Sequence, residues 1–176
     1  MKNTELKFEN KSETKDIVVR RDGKKYLLEW FDSKNFEGLE PVKQVYGYLF
    51  DDEEKLLITN PNTTWRLPGG GPEEQDENFE ETLIRETDEE ADVEIEKITP
   101  LGYLKITPID SDEKLHYALR YVAKVKKIKP QTKDVAIDEM GKREFISPDK
   151  FSDYCDWGEM GKMILNKAVE RFIELK

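Results

Sequence analysis

Residues 85 to 93 read RETDEEADV, and five of these nine positions are acidic: Glu86, Asp88, Glu89, Glu90 and Asp92. At ~100° of rotation per residue, a helix gathers Glu86, Glu89 and Glu90 into an arc of about 100°. Like charges one turn apart repel by roughly a few tenths of a kcal/mol per pair. A hard divalent cation such as Mg²⁺ takes carboxylate, water and phosphate oxygens as ligands and turns that repulsion into ligation. Arg85, four positions ahead of Glu89, can pair with it and hold it in one rotamer. Just upstream, Gly69, Gly70 and Gly71 make a loop whose backbone can approach a ligand and offer it a carbonyl oxygen. The plainer alternative is a solvated acidic face, because eleven of the twenty residues 73–92 are Asp or Glu.

A helix must carry these groups, and the sequence provides one. Asn78 followed three residues later by Glu81 has the form of a capping box, ahead of the run FEETLIRETDEEA. Phe79, Leu83 and Thr87 recur every four residues and make a core-facing stripe. Before the helix, DIVVRRDGKKYLLEWF predicts a hairpin around Asp22-Gly23, and VKQVYGYLF with KLLIT predicts a second around the acidic turn 51–54. TWRLPGGGP predicts a short strand entering the glycine loop. After the helix, EIEKITPLGYLKIT and KLHYALRYVAKVKKI predict two long strands. REFIS predicts a short one, with Ser147-Pro148 opening a helical segment. The last 18 residues carry amphipathic spacing. Strands outnumber helices and hairpins precede the central helix, so the class is α+β, a mixed sheet covered by helices.

Composition sets the outer bounds. With 176 residues the chain is long enough for a sizeable core, and 39% of it is charged with a net charge of -10. That balance argues against a broad electrostatic grip on nucleic acid or on an anionic membrane. Cys155 is the only cysteine, which excludes an internal disulfide and cysteine-based metal sites and suits a buried filler. The N-terminus lacks a signal-type apolar core and no run approaches a membrane span, so cytoplasmic residence is expected. His116 lies mid-strand and is expected to be satisfied in the sheet. Arg66, beside the glycines, is a candidate phosphate contact or a solvated cation. Trp65 and Trp157 could stack on a base or pack in the core.

Gly71, five residues, Glu77, seven residues, then Arg85-Glu86-Thr87 and Glu89-Glu90 with Val93 resembles the Nudix box. Seven of its fixed positions are matched within 23 residues, and WRLPGG resembles the lead-in. Two positions depart from the pattern. Thr87 replaces an aliphatic residue, with a hydroxyl able to bond back to the carbonyl four residues earlier. Asp92 replaces the glycine that ends the helix, at a cost of about 1 kcal/mol. The resemblance implies the α/β/α Nudix sandwich, with a central metal-binding helix and a C-terminal amphipathic helix. It implies a hydrolase domain over 41–176 and a hairpin extension over 1–40 packed on the same domain.

It further implies metal-dependent hydrolysis of a phosphoanhydride in a nucleoside diphosphate linked to another group, with Mg²⁺ or Mn²⁺ as cofactor. Glu86, Glu89 and Glu90 would coordinate the metal, and Glu86 or Glu90 would help activate water. Arg85 would orient Glu89, while Glu77 takes an outer, structural role. A carbonyl of Gly70 or Gly71 is a further ligand, with Gly70 and Arg66 near substrate. Glu139 resembles a glutamate of a late loop that serves as ligand or base, with a surface acid as the alternative. Partners are expected to be small nucleotide derivatives, with neither nucleic acid nor membrane, and a homodimer contact through residues 1–40 is left open. TPIDSDE resembles a stretch of ADP-ribose-cleaving members, and the region before the box resembles those acting on nucleoside triphosphates. A non-catalytic nucleotide-sensing or protein-binding module is the rival reading.

Overall fold

The computed structural model describes residues 7–8 by backbone alone and residues 16–61, 63–132 and 142–176 in full. Among the described residues nine strands form one mixed sheet: β1 Lys7–Phe8, β2 Asp16–Arg21, β3 Lys24–Asp32, β4 Val42–Phe50, β5 Leu56–Asn60, β6 Gly69–Gly70, β7 Val93–Pro108, β8 His116–Ile128 and β9 Lys142–Ile146. Their order is β1-β2-β3-β7-β8-β4-β5-β9, with β6 paired to β4. Only β4 and β8 run parallel; every other pair is antiparallel. The helices are α1 Phe79–Ala91, α2 Phe151–Tyr154, which continues a 3₁₀ turn at Pro148–Lys150, and α3 Gly158–Glu174.

Sequence pattern explains which strands lie in the middle. Ala118 to Ala123 of β8 are all buried, as are Leu56 to Thr59 of β5, because both faces of these strands are covered. On one face, Leu83 and Ala91 of α1 pack on Val45, Leu49, Leu57, Leu119 and Ala123. On the other, Ile164, Leu165, Ala168 and Phe172 of α3 pack in one cluster with Tyr48, Phe50, Leu56, Ile58 and Val122. The result is a three-layer α/β/α sandwich. No helix among the described residues is long and apolar enough to cross a membrane.

The first hairpin turns at Asp22 and Gly23, both at positive φ (51° and 78°), which suits the right-handed twist of its strands. It joins the main sheet through β3, whose Tyr26 to Asp32 pair with Pro108 to Gly102 of β7. At the second turn the Asp51 carboxylate accepts from the amides of Glu53 and Lys55, both at 2.9 Å. Asn78 caps α1 by accepting from the Glu80 and Glu81 amides at 3.0 Å each. The Glu81 carboxylate accepts from the Glu77 amide at 2.9 Å, one residue outside the ordinary capping box.

Helix α1 ends at Asp92 with φ 49° and ψ 47°, the left-handed cap that favours glycine. This aspartate gains what glycine could not: its carboxylate accepts from the Thr132 amide at 2.8 Å and the Thr132 hydroxyl at 2.7 Å. Thr87 differs from expectation. Its hydroxyl is buried and bonds to no acceptor among the described residues, including the carbonyl four residues back.

Candidate active site

Helix α1 lies beside the Gly69–Gly70 strand, and the closeness of the two depends on glycine. Gly69 sits at φ 142°, where a Cβ would overlap the Val45 carbonyl, and a Cβ on Gly70 would overlap the Glu86 carboxylate. The sheet backbone therefore lies directly against Glu86, the first of the three candidate metal ligands.

Two guanidinium groups supply the countercharge for the three box glutamates. Arg85, only 16% exposed at its side chain, donates from Nη1 to Glu86 at 3.0 Å and to Glu89 at 3.2 Å. Its Nη2 donates to the Gly71 carbonyl at 3.0 Å. Arg66 pairs with Glu90, whose side chain is buried and also accepts from the Gly69 amide at 3.2 Å and the Thr59 hydroxyl at 3.3 Å. Arg66 is thus an ion-pair partner of the box helix, reached across 24 residues of sequence. Burial pushes the Glu86 pKa up, and the charges of Glu90 and Glu89 add to that, against the pull of Arg85.

Sequence reasoning missed Asp76. Its carboxylate takes a two-pronged contact from Arg85, Nε to Oδ1 and Nη2 to Oδ2, both at 3.0 Å. It also accepts from the Glu73 amide at 3.0 Å and the Thr82 hydroxyl at 2.9 Å, and its side chain is only 5% exposed. The Arg85 contact holds its carboxyl well below the usual carboxylate range. Asp76 is one acid among eleven in its stretch, and nothing in the spacing separates it from its neighbours. Glu77, next to it, is exposed, and its backbone amide donates to the Glu81 carboxylate.

Among the described residues no three Asp, Glu, His or Cys side chains converge as a ready-made metal-binding group. Glu86 and Glu89 lean to Arg85, and Glu90 to Arg66. The donor chemistry nevertheless fits a hard divalent cation: three carboxylates on neighbouring turns of one helix, two of them, Glu86 and Glu90, against a glycine backbone that carries no side chain. Closing the set requires rotation of these side chains away from the guanidinium groups. Glu139 lies outside the described residues. His116 is half-buried, its ring Nδ1 3.3 Å from the Lys114 carbonyl, and burial lowers its pKa. Trp65 packs edge-on against Tyr154, and Trp157 against Phe151. Cys155 is buried with its thiol toward the Trp65 carbonyl at 3.1 Å, and burial pushes its pKa up to about 12, unsuited to a nucleophile.

Solved structures resemble this chain in fold. A variant of the Bacillus subtilis pyrophosphohydrolase BsRppH is similar over 83% of this chain and 92% of its own, at 19% identity and a TM-score of 0.65. A UDP-X diphosphatase is similar over 75% of this chain and 64% of its own, at 16% identity and a TM-score of 0.51. A NUDIX protein of Listeria monocytogenes is similar over 77% of this chain and 96% of its own, at 19% identity and a TM-score of 0.51. At such identities the likeness is one of fold. No curated protein matches the sequence. The family model for the NUDIX domain matches residues 40–166, which is well over half of the chain, and the protein therefore belongs to the NUDIX domain family.

Proposed function

We propose that the protein is a divalent-metal-dependent pyrophosphohydrolase that cleaves a phosphoanhydride in a nucleoside diphosphate linked to another group. The observation that carries this reading is the set Glu86, Glu89 and Glu90 on α1, with Glu86 and Glu90 against the bare Gly69–Gly70 backbone and a half-buried Arg85 holding Glu86 and Glu89. These three carboxylates would hold Mg²⁺ or Mn²⁺. When bound, the ion supplies neutralisation of the diphosphate and acidifies a water. The chain's own residues do the rest. Arg85, locked by Asp76, fixes the rotamers of Glu86 and Glu89. Arg66 and the Gly69 amide, both already turned toward an anionic group at Glu90, are donors placed to meet phosphoryl oxygens.

Glu86 and Glu90 are the two candidates for taking a proton from the attacking water, and their surroundings separate them. Glu90 accepts from three donors, which leaves one of its carboxylate's roughly four lone-pair sites for a cation. Glu86 accepts from Arg85 at 3.0 Å, and burial raises its pKa, so its carboxylate has room for a proton as well as a metal. Glu86 is assigned as the proton acceptor in addition to its place among the three ligands, and Glu90 as a ligand alone. The substrate's other half stays open between nucleoside triphosphates and ADP-ribose-type compounds on this ground alone.

A screen over nucleoside triphosphates, nucleotide sugars, ADP-ribose and dinucleoside polyphosphates, with and without Mg²⁺ or Mn²⁺, tests the proposal, the phosphomonoester and pyrophosphate products being read through added phosphatase or pyrophosphatase. Metal-dependent turnover is expected on at least one compound, with Glu86→Gln lowering kcat about 10²–10⁴-fold while the protein stays folded. Full activity in both Glu86→Gln and Glu90→Gln would refute it. Nucleotide binding without turnover anywhere in the panel would move the reading to a nucleotide-sensing module.

A further inference from the structure

A cavity of about 590 Å³ opens on the α3 side of the sheet, within the range that small-molecule sites occupy. Arg66, the ion-pair partner of Glu90, lies in its wall, so it adjoins the candidate active site through one side chain. Tyr46 makes a second link: its backbone pairs with Gly69, and its ring faces the cavity. The far wall comes from the N-terminal hairpin, through Ile17, Val19, Tyr26 and Leu28. These residues precede position 40, where the family match begins. The hairpin thus adds a wall to the pocket from outside the matched family segment.

Arg120 of β8 also lines the cavity and is only 4% exposed. Its guanidinium is covered by two aromatic rings, Tyr46 with its centroid at 4.8 Å and Trp157 at 5.5 Å. Nη1 donates to the Leu119 carbonyl at 2.9 Å, and Nε finds no partner among the described residues. No carboxylate among the described residues forms an ion pair with it. A buried guanidinium with five N–H donors and one protein acceptor asks for acceptors from whatever fills the space beside it. With two aromatic rings against the guanidinium, its N–H groups are what it has to offer a ligand.

Leu104, Ile106, Met160 and Ile164 together with the aromatic rings give the cavity an apolar part, and Arg21, Asp22, Lys43, Gln44, Glu113 and His116 give it a charged and polar part. The apolar part suits a planar ring. Guanine presents two acceptors, O6 and N7, along one edge, which matches the guanidinium fork; adenine presents a donor beside its N7 and opposes it. We propose that this cavity is the nucleobase subsite, that the β2–β3 hairpin forms one wall of it, and that Arg120 selects a purine with an acceptor edge, guanine or hypoxanthine, over adenine. This rests on the reading of the site as nucleotide-cleaving and sets adenine-based substrates second.

Calorimetric titration of the full chain with GMP and with AMP, in EDTA, reads the subsite without requiring metal or turnover. GMP is expected to bind at least about tenfold more tightly than AMP. In Arg120→Met, with a thermal midpoint near wild type, the two are expected within about twofold of each other. Leu28→Trp, which fills the cavity from the hairpin side, is expected to weaken GMP at least about tenfold and leave Mn²⁺ affinity unchanged. Equal affinities for GMP and AMP in the wild type, no binding of either at millimolar concentration, an undiminished preference in folded Arg120→Met, or unaltered GMP binding in Leu28→Trp would each overturn the proposal. Should Arg120→Met fail to fold, the wild-type comparison and Leu28→Trp decide. Hydrolysis with no purine preference sinks this inference and leaves the hydrolase reading, whereas purine preference with no hydrolysis across the panel does the reverse.

Discussion

Replacing Asp76 by Asn separates the role of this residue from that of its neighbour Glu77. Asp76 receives two Arg85 N–H groups at 3.0 Å, the Glu73 amide and the Thr82 hydroxyl, all around a side chain only 5% exposed. Hydrogen bonds to a charged group contribute about 1.5–3 kcal/mol each, and breaking a buried pair leaves its partner charge uncompensated. Asparagine keeps one acceptor oxygen and turns an NH₂ toward a donor, so the expected loss is about 2–3 kcal/mol. For a domain of this size that lowers Tm by about 5–10 °C. Because Arg85 also holds Glu86 and Glu89, Mn²⁺ affinity should fall about 10–100-fold. Folding depresses the Asp76 pKa below its unfolded value near ~3.9. Its stabilisation is therefore complete above about pH 4 and is lost as pH falls through the folded value. The Tm gap between wild type and Asp76→Asn should close only below about pH 4. Glu77→Gln, at an exposed side chain, should change stability by less than about 0.5 kcal/mol. Thermal melts and metal titrations of the two variants check this, and a Glu77→Gln loss equal to or larger than that of Asp76→Asn would refute the assignment.

Thr87→Val removes a buried hydroxyl with no partner among the described residues, and should raise stability by about 1 kcal/mol, read as a higher urea midpoint. Asp92→Gly should relieve about 1 kcal/mol of left-handed strain but lose both bonds from Thr132, for a net loss of about 1–2 kcal/mol. Faster amide exchange at Thr132 should accompany it, and a more stable glycine variant would contradict the account. Cys155, buried with its thiol pKa pushed up to about 12, should resist iodoacetamide at pH 8 in the native protein and react on unfolding. Labelling at the same rate in both states would show the burial to be wrong.

The α+β sandwich was readable because its determinants are local. Asp22-Gly23 makes one turn, Asn78 starts the helix, Leu83 sits one turn from Thr87 on the buried stripe, and Ala118 to Ala123 read as a strand covered on both faces. Helical spacing likewise placed Glu86, Glu89 and Glu90 on neighbouring turns, since a period needs no knowledge of the rest of the fold. What spacing cannot supply is the identity of the countercharges. Arg66 reaches Glu90 because the Thr59–Arg66 bridge and the Gly69 register with Tyr46 set it there, and both are properties of sheet pairing. Asp76 outranks Glu77 at Arg85 for a reason of reach: the helix N-cap turns one side chain inward and the next outward. The cavity is less local still. Its walls meet only because the order β2-β3-β7-β8-β4 sets the hairpin on the same side of the sheet as Tyr46, Arg120 and Trp157, residues scattered over more than a hundred positions. Chemistry confined to one helix can be read from a sequence, whereas selection of a substrate's remoter half is written in strand order and becomes visible only with the sheet assembled.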